Sequence, residues 1–372
     1  MADTEPDIPD DGTSALRAWH DFCEQMRGAG DWVFEHCDDD PLDRVEGLRY
    51  LTRLVRGGLE SFVESADPGR PEVRGLPHQV KIGVDNPDSF YQSANLHGRH
   101  TYRLTGTRGT VHYLSINAYG GNFGAGRDRI GQMGRLDDSN LMVDANGRFE
   151  AILSATPHEG NWLELGDEAV TLVVRQFHLD RDAEEPARLR IECLDVEEPP
   201  PVLTAPTLVR ALGGASAFVT GTMERFHEWV ERFRRERPNT LDFNQQAGGG
   251  WGDNVQLFRH GYFTLAEGEA LVIRFTPPPC FYWNFQLCNW WEESLDYRHH
   301  PVTVNKHSAV YGDDGSVELV VAHQDPGVAN WLSTAGHRHG GMGLRWNQAE
   351  YDVEPEVAIV SLVDLEAAEG SQ

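Results

Sequence analysis

The chain repeats itself, and that repetition limits the folds open to it. Asn146-Gly147 leads through Phe149-Glu150-Ala151-Ile152-Leu153 to Pro157-His158-Glu159-Gly160-Asn161-Trp162-Leu163, then to Val170, Leu172, Val174 and Arg175. Asp314-Gly315 leads in the same way through Val317 and Leu319-Val320-Val321 to Asp325-Pro326-Gly327, then Asn330-Trp331-Leu332, and ends at Arg345. Each copy has a turn, a strand, a Pro/Gly turn, Asn-Trp-Leu, a second strand and an arginine. Two copies predict a duplicated domain rather than a solenoid, which needs more repeats to bury a continuous core.

Short apolar runs broken by Gly, Asn and Asp predict antiparallel β structure. In the second copy, Met342, Leu344 and Trp346 alternate with Gly343, Arg345 and Asn347, which predicts a half-buried strand after a Gly-rich bend. The expected fold is mainly β: two tandem jelly-roll-like antiparallel β-sandwiches with helical additions. Residues 1–12 read as a disordered acidic tail, 13–70 as N-terminal helices, 71–200 as the first sandwich, 201–240 as a helical connector and 241–372 as the second sandwich. Gly28 and Gly30 are expected to end the first helix. Asp40-Pro41 gives the second an N-cap acid followed by a proline that needs no N–H partner. The chain's acidic end is expected to fray, and Asn244–Gly252 to form a flexible loop.

With 32 Lys+Arg against 59 Asp+Glu, the net charge is −27. Such a surface repels phosphate backbones and anionic lipid, so neither nucleic acid nor membrane is an expected partner. No run approaches the roughly 20 apolar residues of a membrane span, and the acidic N-terminus is not a secretory signal. The cysteines, Cys23, Cys37, Cys193, Cys280 and Cys288, are irregularly spaced without Cys-x-x-Cys, so reduced, mostly buried thiols in a cytoplasmic protein are expected.

The turn Asp85-Asn86-Pro87-Asp88, the two Asn-Trp-Leu turns, and Asp325-Pro326-Gly327 through Gly336-His337 resemble bacterial proteins that carry domain of unknown function 1214, often preceded by domain of unknown function 1254. The resemblance spans residues 76–365. It implies a tandem pair of jelly-roll-like domains and no settled reaction, so it assigns no catalytic residue.

Chemistry-bearing residues gather in the second half. His337 and His339 lie two apart, which in an extended segment puts both imidazoles on one face, and His323 precedes them across a turn. These three are the expected ligands of one divalent metal ion, or acid–base groups with His323 and His337 catalytic; the bland reading is a loop of hydrogen-bonded or exposed histidines. Asp85, Asp88 and Tyr91 suit substrate orientation or acid–base work, with Asp88 and Tyr91 the candidate catalytic pair, but a plain Asx-turn is the favoured reading. Trp290, Trp291, Asn330, Trp331 and Arg345 are the expected substrate contacts, since aromatic faces bind flat apolar molecules and arginine binds anions. No Gly-x-Ser-x-Gly, Rossmann or His-Glu-x-x-His pattern occurs. The expected function is a small-molecule enzyme, a hydrolase or lyase, acting on an apolar substrate with an anionic or glycosidic group. The alternative is a non-catalytic binding protein or a homo-oligomeric assembly protein, the latter with Trp290 or Trp291 in the subunit contact.

Overall fold

The computed structural model describes residues 12–38, 40–75, 81–121, 131–243 and 255–369. The expected tail lies almost wholly outside them, as does the Asn244–Gly252 loop.

Two helices open the described chain: α1 (Gly12–Glu35) and α2 (Pro41–Leu59), the latter continued by a π-helical turn, Glu60–Glu64. The first half follows: β1 (Arg74–Gly75), β2 (Ser89–His97), β3 (Tyr102–Thr107), β4 (Tyr113–Gly120), β5 (Gly131–Asp137), β6 (Arg148–Ser154), β7 (Trp162–Glu164), β8 (Ala169–Phe177) and β9 (Arg188–Cys193). The long helix α3 (Ala205–Glu236) leads to the second half. That half holds β10 (Asp242–Phe243), β11 (Gln256–Thr264), β12 (Glu269–Phe275), β13 (Tyr282–Leu287), β14 (Thr303–Asn305), β15 (Val317–Ala322), β16 (Trp331–Ser333), β17 (His339–Asn347) and β18 (Glu356–Ser361), and α4 (Leu362–Glu369) ends it.

The duplication holds strand for strand. The first half has sheets β1-β2-β8-β4-β5 and β7-β6-β3-β9, and the second has β10-β11-β17-β13-β14 and β16-β15-β12-β18. In each half a five-stranded and a four-stranded sheet enclose a core. The first includes Leu104, Leu114, Ile116, Leu153 and Leu172. The second includes Phe263, Leu271, Trp283, Phe285, Val321, Leu344 and Trp346. Each fully buried aliphatic or aromatic side chain contributes about 1.5–3 kcal/mol. The halves meet through Tyr113, Phe177 and Tyr282, with Phe177 and Tyr282 ring centroids 5.0 Å apart.

The Asn-Trp-Leu turns are the clearest mark of the repeat. The Asn161 amide donates to Met142 O (2.8 Å) and Glu150 O (3.0 Å) and accepts from Met142 N (2.7 Å). Asn330 does the same with Val310 O (2.8 Å), Glu318 O (3.0 Å) and Val310 N (2.7 Å). Each asparagine thus replaces ladder partners that its corner would otherwise leave unpaired. The following residues pair in parallel, β6 with β7 and β15 with β16.

Three expectations are corrected. α1 runs through Gly28 and Gly30 to Glu35, because its apolar face packs on α2 and α3 and that burial outweighs the weak propensity of two glycines. The strand after the bend is buried on both faces rather than half-buried, and Gly340 and Gly341 lie within it. The chain's end forms α4, whose Leu362 and Leu365 pack against Val272 and Val320 of the four-stranded sheet. The cysteines are free thiols but not mostly buried: Cys288 is buried, Cys37, Cys193 and Cys280 are half-buried, and Cys23 is exposed. No helix among the described residues is long and apolar enough to cross a membrane.

α1, α2 and α3 cover the outer face of the sheet β10-β11-β17-β13-β14. Trp290 and Trp291 join Val33, Tyr50, Leu54, Val219, Met223 and Tyr262 in one apolar layer between cap and sheet. Close approach has steric conditions. A Cβ at Gly261 of β11 would sit 1.7 Å from Thr240 O, whereas one at Gly213 in α3 would meet nothing within 4 Å. Gly261→Ala is therefore expected to lower unfolding free energy in urea by about 1–3 kcal/mol. Gly213→Ala, at a helix-interior site, is expected to raise it by about 0.5–1 kcal/mol.

Candidate functional site

α2 begins where the sequence places it. Asp40 Oδ1 accepts from Leu42 N at 2.8 Å, so the carboxylate caps the helix and Pro41 follows. From Asp40, steps of three residues put Asp43 and Glu46 on the same side of the helix, and that side meets the segment carrying His337 and His339. His337 Nε2 lies 2.8 Å from Glu46 Oε2, and its Nδ1 lies 3.0 Å from Thr334 O. His339 Nδ1 lies 2.6 Å from Tyr262 OH, with its Nε2 3.3 Å from Asp43 Oδ2 and 4.0 Å from Asp40 Oδ2. His337 and His339 both meet carboxylates of α2, partners that sequence distance conceals. His323 stands apart from them: its nitrogens meet Thr334 Oγ1 (2.8 Å) and Leu265 O (3.2 Å).

Burial governs the charges in this cluster. Burial lowers the His337 pKa, but the hydrogen bond and charge of Glu46 outweigh it and leave the imidazole above its ordinary value. Burial pulls His339 down, and nearby Asp38 and Asp40 do not restore it. Asp43 is pushed up to about 7, first by burial and then by the Asp40 charge.

Asn330 and Trp331 occupy the corner described above, and the Trp331 indole donates to Ala322 O at 3.2 Å. Trp290 and Trp291 are interior, with indole N–H groups donating to His36 O (2.9 Å) and Asp43 O (2.7 Å). These four residues thus pack and brace the fold, while Arg345 stands in different surroundings.

Along β17, Met342, Leu344 and Trp346 enter the sandwich core, so Gly341, Gly343, Arg345 and Asn347 face the other way, toward the covered side of the sheet. A Cβ at Gly341 would come 2.4 Å from Glu292 Oε2, and one at Gly343 would come 2.7 Å from Val84 Cγ1. The two glycines make room for groups that lie on the strand. Val84 and Glu292 both take left-handed backbone conformations (φ 58° and 57°), and Val84 N donates to Glu292 O at 2.7 Å. A β-branched residue held there is strained.

Next to this wedge, Arg345 is 2% exposed. Its Nη2 donates to Val84 O at 2.8 Å, while Nε and Nη1 have no hydrogen-bond partner among the described residues. Asn284 stands directly across the sheet from it on β13, and Phe258 on β11. Asn284 Oδ1, Gln286 Oε1, both amide atoms of Asn347 and both carboxyl oxygens of Glu292 are likewise buried without hydrogen-bond partners among the described residues. Buried polar atoms are nearly always paired, so this row of orphans makes the face a candidate ligand site.

Asp88 and Tyr91 reach the margin of this face. Asp88 Oδ2 accepts from Tyr282 OH (2.7 Å), and Tyr282 OH also pairs with Asn86, which in turn accepts from Asn284 Nδ2 (3.0 Å). Tyr91 OH accepts from Asn86 N at 3.0 Å. The Asx-turn is present too, made by Asn86 Oδ1 and Asp88 N at 3.0 Å. Burial raises the Asp88 pKa, more than its hydrogen bonds and the Arg345 and Arg181 charges lower it. Sequence reasoning missed Tyr282, Asn284, Gln286 and Asn347, and Asp40, Asp43 and Glu46. The available signals were polar residues alternating with core aromatics in β13 and acids three apart in α2.

His260, on β11 beside Phe258 and Phe233, is pulled down to about 3 by burial and then by the Arg345 charge. Its folded pKa lies below the ordinary histidine value of 6.5, so its contribution to stability is present above that value and lost as pH falls toward 3. Wild type is expected to lose about 1–2 kcal/mol more unfolding free energy than His260→Gln between pH 6.5 and pH 5, measured by urea titration at each pH. Equal losses would show that His260 does not carry the acid sensitivity.

Comparison with known proteins follows the same two-part pattern. The family model described as protein of unknown function (DUF1214) matches residues 89–180 and 265–349, one segment in each half. No curated protein matches the chain. Among solved structures, an uncharacterised protein of Burkholderia cenocepacia is 42% identical, covers 95% of this chain and 100% of its own, and superposes with a TM-score of 0.91. A Vibrio parahaemolyticus protein is 13% identical, over 92% of this chain and 99% of its own, with a TM-score of 0.49. A salicylate 1,2-dioxygenase of Pseudaminobacter salicylatoxidans is 12% identical, over 86% and 84%, with a TM-score of 0.19. Neither of the last two superposes well enough to inform fold or chemistry. With a family match in each half and a 42%-identical relative over nearly its whole length, the chain belongs to the DUF1214 family of proteins of unknown function.

Proposed function

We propose that the protein is a small-molecule enzyme of hydrolase or lyase type. Its substrate is apolar with one carboxylate-like group, and it binds on the covered face of the sheet β10-β11-β17-β13-β14. The buried Arg345, with two donors unpartnered, carries this reading. A guanidinium taken out of water without a counter-charge costs several kcal/mol, and among the described residues none forms an ion pair with it. Its planar fork matches a carboxylate by two parallel hydrogen bonds. Phe258, whose ring centroid is 5.9 Å from the Arg345 guanidinium carbon, offers the substrate an apolar wall.

Asp88 and Tyr282 supply proton transfer at the edge of the same face. A carboxyl that keeps its proton to higher pH than usual, hydrogen-bonded to a phenol, is suited to general-acid work. Arg345 lowers the Asp88 pKa. An anion paired with Arg345 weakens that effect, so substrate binding itself favours the protonated acid. The other class of function, assembly through Trp290 or Trp291, gains no support, because both indoles are spent inside the chain.

A panel of aromatic and aliphatic carboxylates, each beside its neutral amide, is expected to yield carboxylates that raise the unfolding temperature while their amides do not. By calorimetry, Arg345→Gln is expected to bind the same acids at least about tenfold more weakly, as the loss of a charged hydrogen-bonded contact implies. Asp88→Asn is expected to keep binding and lose turnover of the derived ester or hydroxy acid. Acids that bind Arg345→Gln as tightly as wild type, or none that bind wild type, would overturn the reading.

A further inference from the structure

The N-terminus of α2 and the start of β17 bring together three ligand atoms of a kind that holds metal ions. We propose that Asp40, Asp43 and His339 bind one divalent first-row cation, Zn2+ or Mn2+, which clamps α2 to β17.

One ligand atom from each of the three residues lies within 4.8 Å of the other two. Metal–oxygen and metal–nitrogen bonds of about 2.0–2.2 Å put ligand atoms about 3–4 Å apart, so the cluster needs little closure. A second observation points to a ligand. Asp43 is 2% exposed, and its Oδ2 accepts no hydrogen bond from the described residues. His339 Nε2 is 3.3 Å from that oxygen without making a hydrogen bond to it. The imidazole is set by its other nitrogen, Nδ1, at 2.6 Å from Tyr262 OH. With Nδ1–H donating to the phenol, Nε2 presents its lone pair to two carboxylates, an arrangement that a cation relieves. An outer partner that fixes the tautomer of a histidine is the usual support of a metal ligand.

The surroundings agree with one ion at this place. Asp40 keeps Oδ1 on Leu42 N and turns Oδ2 toward the cluster. Arg338 reaches that same Oδ2 at 3.3 Å, but its side chain is 72% exposed and is readily displaced. The neighbouring Glu46 and His337 pair with each other at 2.8 Å. His323, whose nitrogens face Thr334 and Leu265, takes no part. The other grouping of ligand type among the described residues, His100, Cys193 and Asp195, is weaker, since Asp195 is exposed and already accepts from Thr101 N.

The full chain is stripped with chelator and titrated calorimetrically with ZnCl2 and then MnCl2, beside Asp43→Asn, His339→Gln and His323→Gln. The expected result is one equivalent bound by wild type, affinity at least tenfold weaker in Asp43→Asn and His339→Gln, and no change in His323→Gln. No uptake of either ion by wild type, or equal uptake by the first two variants, would overturn the site. Should those variants not fold, X-ray absorption of the wild-type Co2+ complex decides. A shell of one imidazole nitrogen with oxygens upholds the assignment, and a sulfur ligand or two imidazoles refutes it. None of these readouts depends on Arg345 or on turnover.

Discussion

Everything distinctive about this protein depends on covering one sheet face. A β-sandwich with polar residues on its outer faces needs nothing more for stability. Here α1, α2, α3 and the segment from Lys81 to Asp88 lie over the outer face of the second five-stranded sheet. Trp290 and Trp291 seal the joint, and their indoles are tied to backbone carbonyls of the α1–α2 region. The cover desolvates residues that alternate with the core aromatics. Tyr282, Asn284, Gln286, Arg345 and Asn347 would be ordinary water-facing residues on an open sandwich, and here each is buried. Burying such groups costs stability unless they are paired, and several have no partner among the described residues. The apolar layer between cap and sheet supports that cost.

Comparison of the two halves shows what the duplication kept and what it changed. The Asn-Trp-Leu corners kept their hydrogen bonds atom for atom. The arginines kept their register, and Arg175 of β8 corresponds to Arg345 of β17. Their partners differ. Arg175 Nη1 donates to Tyr119 OH at 2.9 Å. The pairing registers put Cys288 of the second half where Tyr119 stands in the first, and Asn347 where Phe177 stands. A thiol there supplies no phenol oxygen, and Arg345 turns to Val84 O instead. The halves are thus one scaffold with two chemistries, and the difference lies in the residues around a shared arginine.

Strain marks the same face. Val84 and Glu292 adopt conformations that cost about 1–3 kcal/mol each, and a backbone hydrogen bond clasps one to the other. The clasp fits only because β17 has glycine at 341 and 343. A Gly-rich stretch that reads as a bend is in fact a strand stripped of side chains to admit others, including a fully buried carboxyl.

Much of the architecture was legible in the chain itself. Period-two alternation placed Met342, Leu344 and Trp346 in a core, the repeated turns announced the duplication, and Asp40-Pro41 marked the start of α2. These signals act within a few residues, through backbone geometry and local burial. The site was legible only in part. Arg345 was visible as the arginine that ends each copy, and His337 and His339 as a close pair. Their partners Glu46 and Asp43 lie nearly 300 residues earlier. Asn330 and Trp331 read as ligand contacts, yet a corner that lacks ladder partners claims the asparagine and the adjoining strand the tryptophan. The sequence by itself determined the strands, their repeat and the residues that fill the two cores, because periodicity encodes which side of an element avoids water. Tertiary structure alone decided which polar residues lost their water, since that depends on the helices laid over the second sheet, and no local pattern records what covers a strand.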